Sequence, residues 1–237
     1  MTDPRFAEPT PTPSAASAWE DVLDIFYSPR EVFERRRDGR YWVALLVLAG
    51  LTLVVYFLSI QMSDAIGDVE FKRAMARQTT KLTPEQIAQG RAFAEKIKGL
   101  LVYVLPVMVI IGAWISGLMT MLLGNMMGGK LTFAQGTAIA ALSSMPELLG
   151  KAIVGAQGLF LDTSTVQHKY SFAVNAARFM SGDSSNWKLM FGALADPFVI
   201  WGAALLGLGA YIIGRMEKEK AAVLAVVHAL ITAVLIR

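Results

Sequence analysis

The chain has 237 residues, of which 54% are hydrophobic and 17% charged, whereas a soluble domain of this length has roughly 25% charged residues. It contains no cysteine and two histidines, His168 and His228, which excludes disulfides, thiolate catalysis and cysteine-based metal sites, so no metal or cofactor is predicted. The net charge is +3, and the basic residues flank apolar stretches, so a lipid bilayer with anionic headgroups, rather than nucleic acid, is the expected partner.

Residues 1–17 are rich in proline, threonine, alanine and serine. They contain no apolar stretch of the kind that a secretory signal peptide needs. The composition predicts a disordered tail.

Residues 18–40 are amphipathic. Their first part has an apolar face at helical spacing, formed by Trp19, Val22, Leu23 and Phe26. Ser28, Pro29 and Glu31 then form a capping-box pattern, which predicts a second short helix. That helix carries Arg35, Arg36 and Arg37. An arginine-rich amphipathic segment beside a membrane span is typical of an interfacial helix that contacts lipid headgroups, and a solvated linker is the alternative.

Residues 41–237 predict an all-α, polytopic membrane helix bundle with about five transmembrane helices. The predicted spans are 42–61, 99–124 (with a kink at Pro106), 133–157, 191–214 and 220–236. In the connection 62–98, Thr83 to Gln86 repeats the capping-box pattern and predicts a helix that either ends there or continues into the second span. In the connection 158–190, a short helix is expected around Phe172 to Met180.

The third span, 133–157, carries two charges, Glu147 and Lys151. Each costs about 2.5–3.5 kcal/mol at mid-membrane, more than the span's apolar residues recover. We expect it to insert because the four-residue spacing lets the two charges pair and because other helices shield them. Whether it crosses completely is open.

Orientation follows from the arginines before the first span. Five of them (Arg30, Arg35, Arg36, Arg37 and Arg40) directly precede residue 42, although the connection 62–98 is also basic. Because the positive-inside rule weights short flanks and the first helix, we predict a multi-pass protein of the cell (cytoplasmic or inner) membrane with a cytoplasmic N-terminus.

Two catalytic patterns are present only in part. Gly124 to Lys130 has the glycine spacing of a phosphate-binding loop, but Leu131 stands where serine or threonine is required, so a helix-terminating turn is favoured. Ser116 with the distant His228 suggests intramembrane serine proteolysis, but Trp114 occupies the position of an expected glycine. The sequence therefore predicts that the protein is not an enzyme.

Four ionisable residues lie within predicted apolar spans: Glu147, Lys151, Asp196 and His228. Such residues are costly in lipid and are usually functional. They predict one of two roles. The first, which we favour, is an interhelical polar lock. The second is a proton or ion path, or a seam that binds a partner. Asp196 precedes Pro197 near a span end, where helix capping is expected, and His228 is expected to hydrogen-bond a neighbouring helix.

Three stretches resemble the Yip family of Ypt/Rab-interacting-protein-like membrane proteins, and especially its bacterial branch. They are Ile25 to Phe33, the span that contains Pro146, and Asp196 to Trp201 followed by Gly207, Gly209 and the basic run Arg215 to Lys220. The resemblance covers roughly residues 19–237. It implies a five-helix membrane domain with a cytoplasmic N-terminus and with no shared catalytic residues, and a role in trafficking or as an accessory to transporters.

Two functional hypotheses follow. The first is a non-enzymatic scaffold or accessory subunit that binds a membrane-protein partner, or a second copy, through its helices and N-terminal segment. The second is a small-solute or proton-coupled permease or channel that uses Glu147, Lys151 and Asp196.

Overall fold

The computed structural model describes residues 19–77, 83–181 and 184–236, so the predicted tail at 1–17 lies outside the described residues. Every regular element in these ranges is helical. The α-helices are α1 (Asp21–Asp24), α2 (Pro29–Arg35), α3 (Trp42–Leu58), α4 (Ile60–Arg77), α5 (Pro84–Met126), α6 (Phe133–Ser143), α7 (Met145–Phe160), α8 (Asn186–Leu194), α9 (Pro197–Ile213) and α10 (Lys218–Ile236). Two 3-10 turns, Thr163–Thr165 and Ala176–Phe179, lie between α7 and α8.

The predicted class, an all-α membrane helix bundle, is confirmed. By length and composition, two units of the described chain are long and apolar enough to cross a membrane: α5, and α6 with α7 over Phe133–Phe160. The number rises to four if two bent pairs count as one span each, α3 with α4 (bent by 68°) and α8 with α9 (bent by 54°). The fifth predicted span coincides with α10, whose last side chains lie outside the described residues, so α10 is not in that count.

The helix starts follow local sequence chemistry. Thr83 and Thr132 cap α5 and α6 with reciprocal hydrogen bonds to Gln86 and Gln135, because a side-chain oxygen satisfies backbone N–H groups that have no partner in the first turn. Ser28 is the N-cap of α2 and Pro29 its first residue, as predicted, but the Ser28 side chain makes no capping hydrogen bond.

The N-terminal segment is more deeply integrated than its amphipathic pattern suggests. The helix α1 has only four residues, and Val22, Ile25, Val32 and Phe33 are buried in the main core with residues of α6 and α9. Trp19 and Leu23, assigned to the apolar face by the sequence, are more than half exposed. The hairpin of α1 and α2 therefore packs against the end of the bundle rather than lying on it as a separate helix.

The bundle has two ends. The N-terminal face consists of α1, α2 and the connections 127–132 and 214–217, which meet where the Lys130 amide donates to the Gly214 carbonyl (3.1 Å). The loop face consists of α4, α8 and residues 161–181 of the connection between α7 and α8, and Met62, Val166 and Phe172 form a second core there. The expected short helix near 172–180 is the 3-10 turn Ala176–Phe179.

The helix α5 runs without interruption from Pro84 to Met126, past Pro106, so the helix that begins at Thr83 continues into the second span. At 43 residues it is about 65 Å long, roughly twice the thickness of a hydrocarbon core. After α5, Gly128 has a φ of +89°. Asn125 Oδ1 accepts a hydrogen bond from the Leu131 amide (2.7 Å), and Asn125 Nδ2 donates one to the Leu131 carbonyl (2.9 Å). The glycine-rich 124–130 segment is thus the turn that the sequence favoured.

Candidate functional site

A cavity of about 380 Å³ lies inside the bundle, and helices α3, α5, α6, α7, α9 and α10 all line it. Its wall is largely aliphatic. The polar side chains in it are Thr52, Ser116, Ser143, Ser144, Glu147, Lys151, His228 and Thr232. An apolar chamber with a few convergent polar groups is the usual form of a small-molecule site.

One of the helical units that line the cavity is interrupted beside it. The helix α6 ends at Ser143 and α7 begins at Met145, with Pro146 in its first turn. Proline is tolerated there because it occupies a position whose N–H would have no helical partner. The break places Glu147 in the first turn of α7, where the helix dipole stabilises a carboxylate.

Glycine makes room for this break. A Cβ added to Gly202 on α9 would lie 2.8 Å from the Ser143 carbonyl oxygen and 3.9 Å from Glu147 Oε1. Any larger residue at this position would press on the end of α6. Gly202 is therefore part of what shapes the site.

Glu147 and Lys151 do not pair as the sequence analysis expected. Both line the cavity, but among the described residues no ion pair within 4.0 Å involves either of them. Glu147 is half-buried and Lys151 is exposed. Neighbouring helices bury 61% of the most apolar window of Phe133–Phe160, but of the two charges they shield only Glu147, and only in part. Two opposite charges therefore face the cavity without neutralising each other directly.

His228 makes the predicted contact with a neighbouring helix. Its Nε2 shares a hydrogen bond of 3.0 Å with Ser116 Oγ, which joins α10 to α5 at the cavity wall. Ser116 is the serine that the sequence analysis rejected as a nucleophile. The Thr120 hydroxyl, one turn further along α5, donates to the Ser116 carbonyl (2.8 Å). This part of the polar set is an interhelical lock.

Ser143 is a cavity residue that the sequence analysis missed. It is 5% exposed, and its Oγ has no hydrogen-bond partner among the described residues. A buried hydroxyl without a partner costs about 1–3 kcal/mol, which a polar molecule in the cavity would offset. The signal in the sequence was weak, because a serine in an apolar span usually indicates close packing.

Asp196 is not in the cavity. It is the N-cap of α9, and its Oδ1 accepts hydrogen bonds from the amides of Phe198 (2.9 Å) and Val199 (3.4 Å). Its other oxygen accepts from Asn175 Nδ2 (3.3 Å), in the connection at the loop face. The structure therefore separates Asp196 from the other three members of the predicted polar set and shows the capping that its position before Pro197 predicted.

The predicted membrane-surface arginines differ from one another. Arg35 donates to Asp21 Oδ1 (2.7 Å) and Asp24 Oδ2 (2.6 Å), and Arg36 donates to the other oxygen of Asp21, which is fully buried. Burial alone would lower the pKa of the Arg35 guanidinium, but the hydrogen bonds to these aspartates raise it. Arg37 is exposed. Arg35 and Arg36 thus stabilise the packing of the hairpin. Of the three arginines, Arg37 is the one that remains available to contact lipid headgroups.

The sequence matches the model of a known family. The Yip1 domain model matches residues 23–236, from the N-terminal hairpin to the last helix. No curated protein and no solved structure matches the chain. Because the match covers almost the whole sequence, the chain belongs to the Yip family of multi-pass membrane proteins.

Proposed function

We propose that this Yip-family protein is a non-enzymatic scaffold or accessory subunit that binds a membrane-protein partner, either a transporter or a component of trafficking machinery. We place it in the cell membrane with a cytoplasmic N-terminus. The observation that carries the proposal is an uncovered apolar stripe on α5.

The stripe follows one face of the helix at spacings of three and four residues, and every member is at least 41% exposed. It consists of Phe93, Ile97, Leu100, Tyr103, Val107, Ile111, Ile115, Leu118 and Leu122. Only 6% of the most apolar window of α5 is buried, against 61% for the unit of α6 and α7. The bundle therefore uses α5 as an outer helix with a free apolar face.

The stripe is longer than lipid alone requires. From Phe93 to Leu122 it extends about 44 Å, whereas the hydrocarbon core is about 30 Å thick. Phe93 lies beside charged Arg91 and Glu95 and is 66% exposed. Apolar side chains that continue a lipid-facing stripe beyond the hydrocarbon region favour a partner helix that covers both parts.

The test is affinity purification from native membranes in mild detergent, with identification of co-purified proteins by mass spectrometry. We expect a stoichiometric partner with the wild-type protein and with Ala92→Ser, an exposed control outside the stripe. The double variant Phe93→Ser, Ile97→Ser should lose it. Equal recovery with the double variant, or recovery of the wild-type protein alone, would contradict the scaffold proposal.

The headgroup role is tested separately at Arg37. Charge reversal at Arg35 or Arg36 would disrupt the buried contacts with Asp21, so it cannot separate membrane binding from folding. Arg37→Glu reverses an exposed charge instead. Each basic residue near an anionic surface is worth about 1 kcal/mol, so this variant should bind vesicles that contain anionic lipid more weakly than the wild type, and raised salt should reduce the difference.

The cavity favours a second candidate, a permease for a proton or a small polar solute. Glu147 and Lys151 face it without pairing, and Ser143 offers a hydroxyl without a partner among the described residues. Asp196 has no place in this candidate mechanism, because it caps α9 outside the cavity.

Flux into liposomes distinguishes this candidate. Glu147→Gln should abolish proton or solute flux, whereas Asp196→Asn removes a charge, keeps a capping residue and should leave flux unchanged. If neither the wild-type protein nor the variants move any ion or solute, the permease candidate is wrong.

A further inference from the structure

A second concave surface lies on the outside of the bundle, between α9 and α10. It is a groove of about 770 Å³, and small residues of both helices form its floor, among them Ala203, Ala204 and Gly207 on α9 and Ala222 and Ala225 on α10. The helices approach closely there. A Cβ on Gly207 would lie 3.2 Å from the Ala221 carbonyl oxygen and 3.3 Å from the Ala225 Cβ.

The groove has one polar end and one apolar end. Arg30 of α2 and Lys218, the first residue of α10, line it at the N-terminal face, whereas Leu194 and Leu230 line it toward the loop face. The distance along α10 from Lys218 to Leu230 is about 18 Å, close to the roughly 15 Å thickness of one hydrocarbon leaflet.

Both cations at the polar end retain hydrogen-bonding capacity. Arg30 donates only from Nε, to Glu34 (3.1 Å), which leaves both Nη groups without a partner among the described residues. Lys218 Nζ lies 5.7 Å from the centroid of the Tyr211 ring, and in the described chain it forms no ion pair within 4.0 Å. Glu217, the neighbouring acid, pairs with Lys220 (3.0 Å) rather than with Lys218.

We propose that this groove binds an anionic phospholipid, with one acyl chain along the α9–α10 floor and the phosphate between Arg30 and Lys218. Charge complementarity identifies the occupant, because a groove on the lipid-facing side whose headgroup end carries two available cations is matched by an amphiphile with an anionic head. The groove shares no residue with the α5 stripe. It shares Val199, Ala203 and Ala229 with the cavity lining but contains neither Glu147 nor Lys151, so the two cations of the proposal belong to neither candidate function.

The test is native mass spectrometry of the detergent-solubilised protein titrated with phosphatidylglycerol or with phosphatidylcholine of the same chain length. We expect tighter binding of phosphatidylglycerol. Each basic contact is worth about fivefold in affinity, so Arg30→Gln with Lys218→Gln should weaken phosphatidylglycerol binding by about 25-fold and phosphatidylcholine binding by less, because the choline cation already offsets the charge of its phosphate. The control Lys220→Gln removes an equivalent charge from the same helix turn, outside the groove, and should have no effect.

Two further arms test the acyl chain. Ala204→Phe, which fills the groove, should weaken binding of both lipids, whereas Ile115→Phe on α5 should not. Inorganic phosphate should fail to displace the lipid, because it lacks a chain. The proposal is overturned if the two lipids bind equally or if Lys220→Gln weakens binding as much as the double variant. Displacement of the lipid by phosphate would also contradict it. So would a dimer in which a second copy of the chain occupies the groove without lipid. Arg30 and Lys218 are exposed, so a melting temperature equal to wild type is expected for their variants.

Discussion

Asp21 is the residue on which the N-terminal hairpin depends most. It is fully buried and contacts both Arg35 and Arg36. Asp21→Asn should lower the free energy of unfolding by about 3–5 kcal/mol, because it removes the carboxylate that pairs with Arg36, whose side chain is only 11% exposed. The measurement is thermal unfolding in detergent, followed by tryptophan fluorescence.

Asp24→Asn is the matched control for that prediction. Asp24 contacts Arg35 through one oxygen, and its side chain is 39% exposed. An exposed ion pair contributes about 0–1 kcal/mol, so this variant should unfold close to the wild-type temperature. Equal destabilisation by the two variants would show that Asp21 has no special role.

The sequence and the structure agree at the residue scale where a side chain acts on its own neighbourhood. Asp196 caps the helix that Pro197 starts, as its position predicted. They disagree where the partner lies far away in sequence. Glu147 and Lys151 are four residues apart on α7, a spacing that allows an ion pair, but both side chains line the cavity instead. Arg35 and Arg36 have a polar, surface-like sequence pattern, and only the fold of α1 onto α2 brings Asp21 to them.

At the scale of elements, the crossing of α5 and α6 requires glycine. A Cβ at Gly136 would collide with the carbonyl oxygen of Gly117, and a Cβ at Gly117 would lie within 2.6 Å of the Thr137 Cα. Both obstacles are backbone atoms, so no rotamer change relieves them. Gly136→Ala should therefore separate the helices and cost at least about 1–3 kcal/mol, observed as a lower melting temperature.

Gly112→Ala tests whether the cost at Gly136 comes from the crossing. Gly112 is also a glycine of a predicted span, and nothing lies within 4 Å of a Cβ added there. Since alanine has the higher helix propensity, this variant should be neutral or slightly stabilising. A similar loss at both positions would mean that the glycines matter for a reason other than helix contact.

Helix starts were predictable from sequence, and helix bends were not. Thr83 and Thr132 cap their helices through residues three positions away, which a sequence pattern contains. The bend of 68° between α3 and α4 occurs at Ser59, without proline or glycine, in a stretch predicted as one span to residue 61. Ser59 meets α7 where Gly155 lacks a side chain, so the bend depends on packing between distant segments.

At the scale of the whole molecule, the two ends of the bundle carry different structures but similar numbers of basic residues. The N-terminal face has the arginine hairpin with Lys130, Arg215, Lys218 and Lys220, and the loop face has the basic residues of α4, of the start of α5, of residues 161–181 and of α8. Charge counting therefore leaves orientation to the short flank of the first span. Charge counting also does not decide whether the unit of α6 and α7 crosses the membrane completely. This unit is interrupted at Ser144 and connects residue 130 with residue 164.

One pair of labelling sites decides both questions. The chain has no cysteine, so a single introduced cysteine is the only thiol, and Lys130 and Ser164 are exposed positions on opposite sides of the α6–α7 unit. We predict that a membrane-impermeant maleimide labels Ser164→Cys in intact cells and labels Lys130→Cys only after permeabilisation. The reverse pattern would place the N-terminal face outside. Equal labelling of both positions in intact cells would mean that α6 and α7 enter and leave on the same side, because a thiol on each side of a complete span cannot react alike with a reagent confined to one of them.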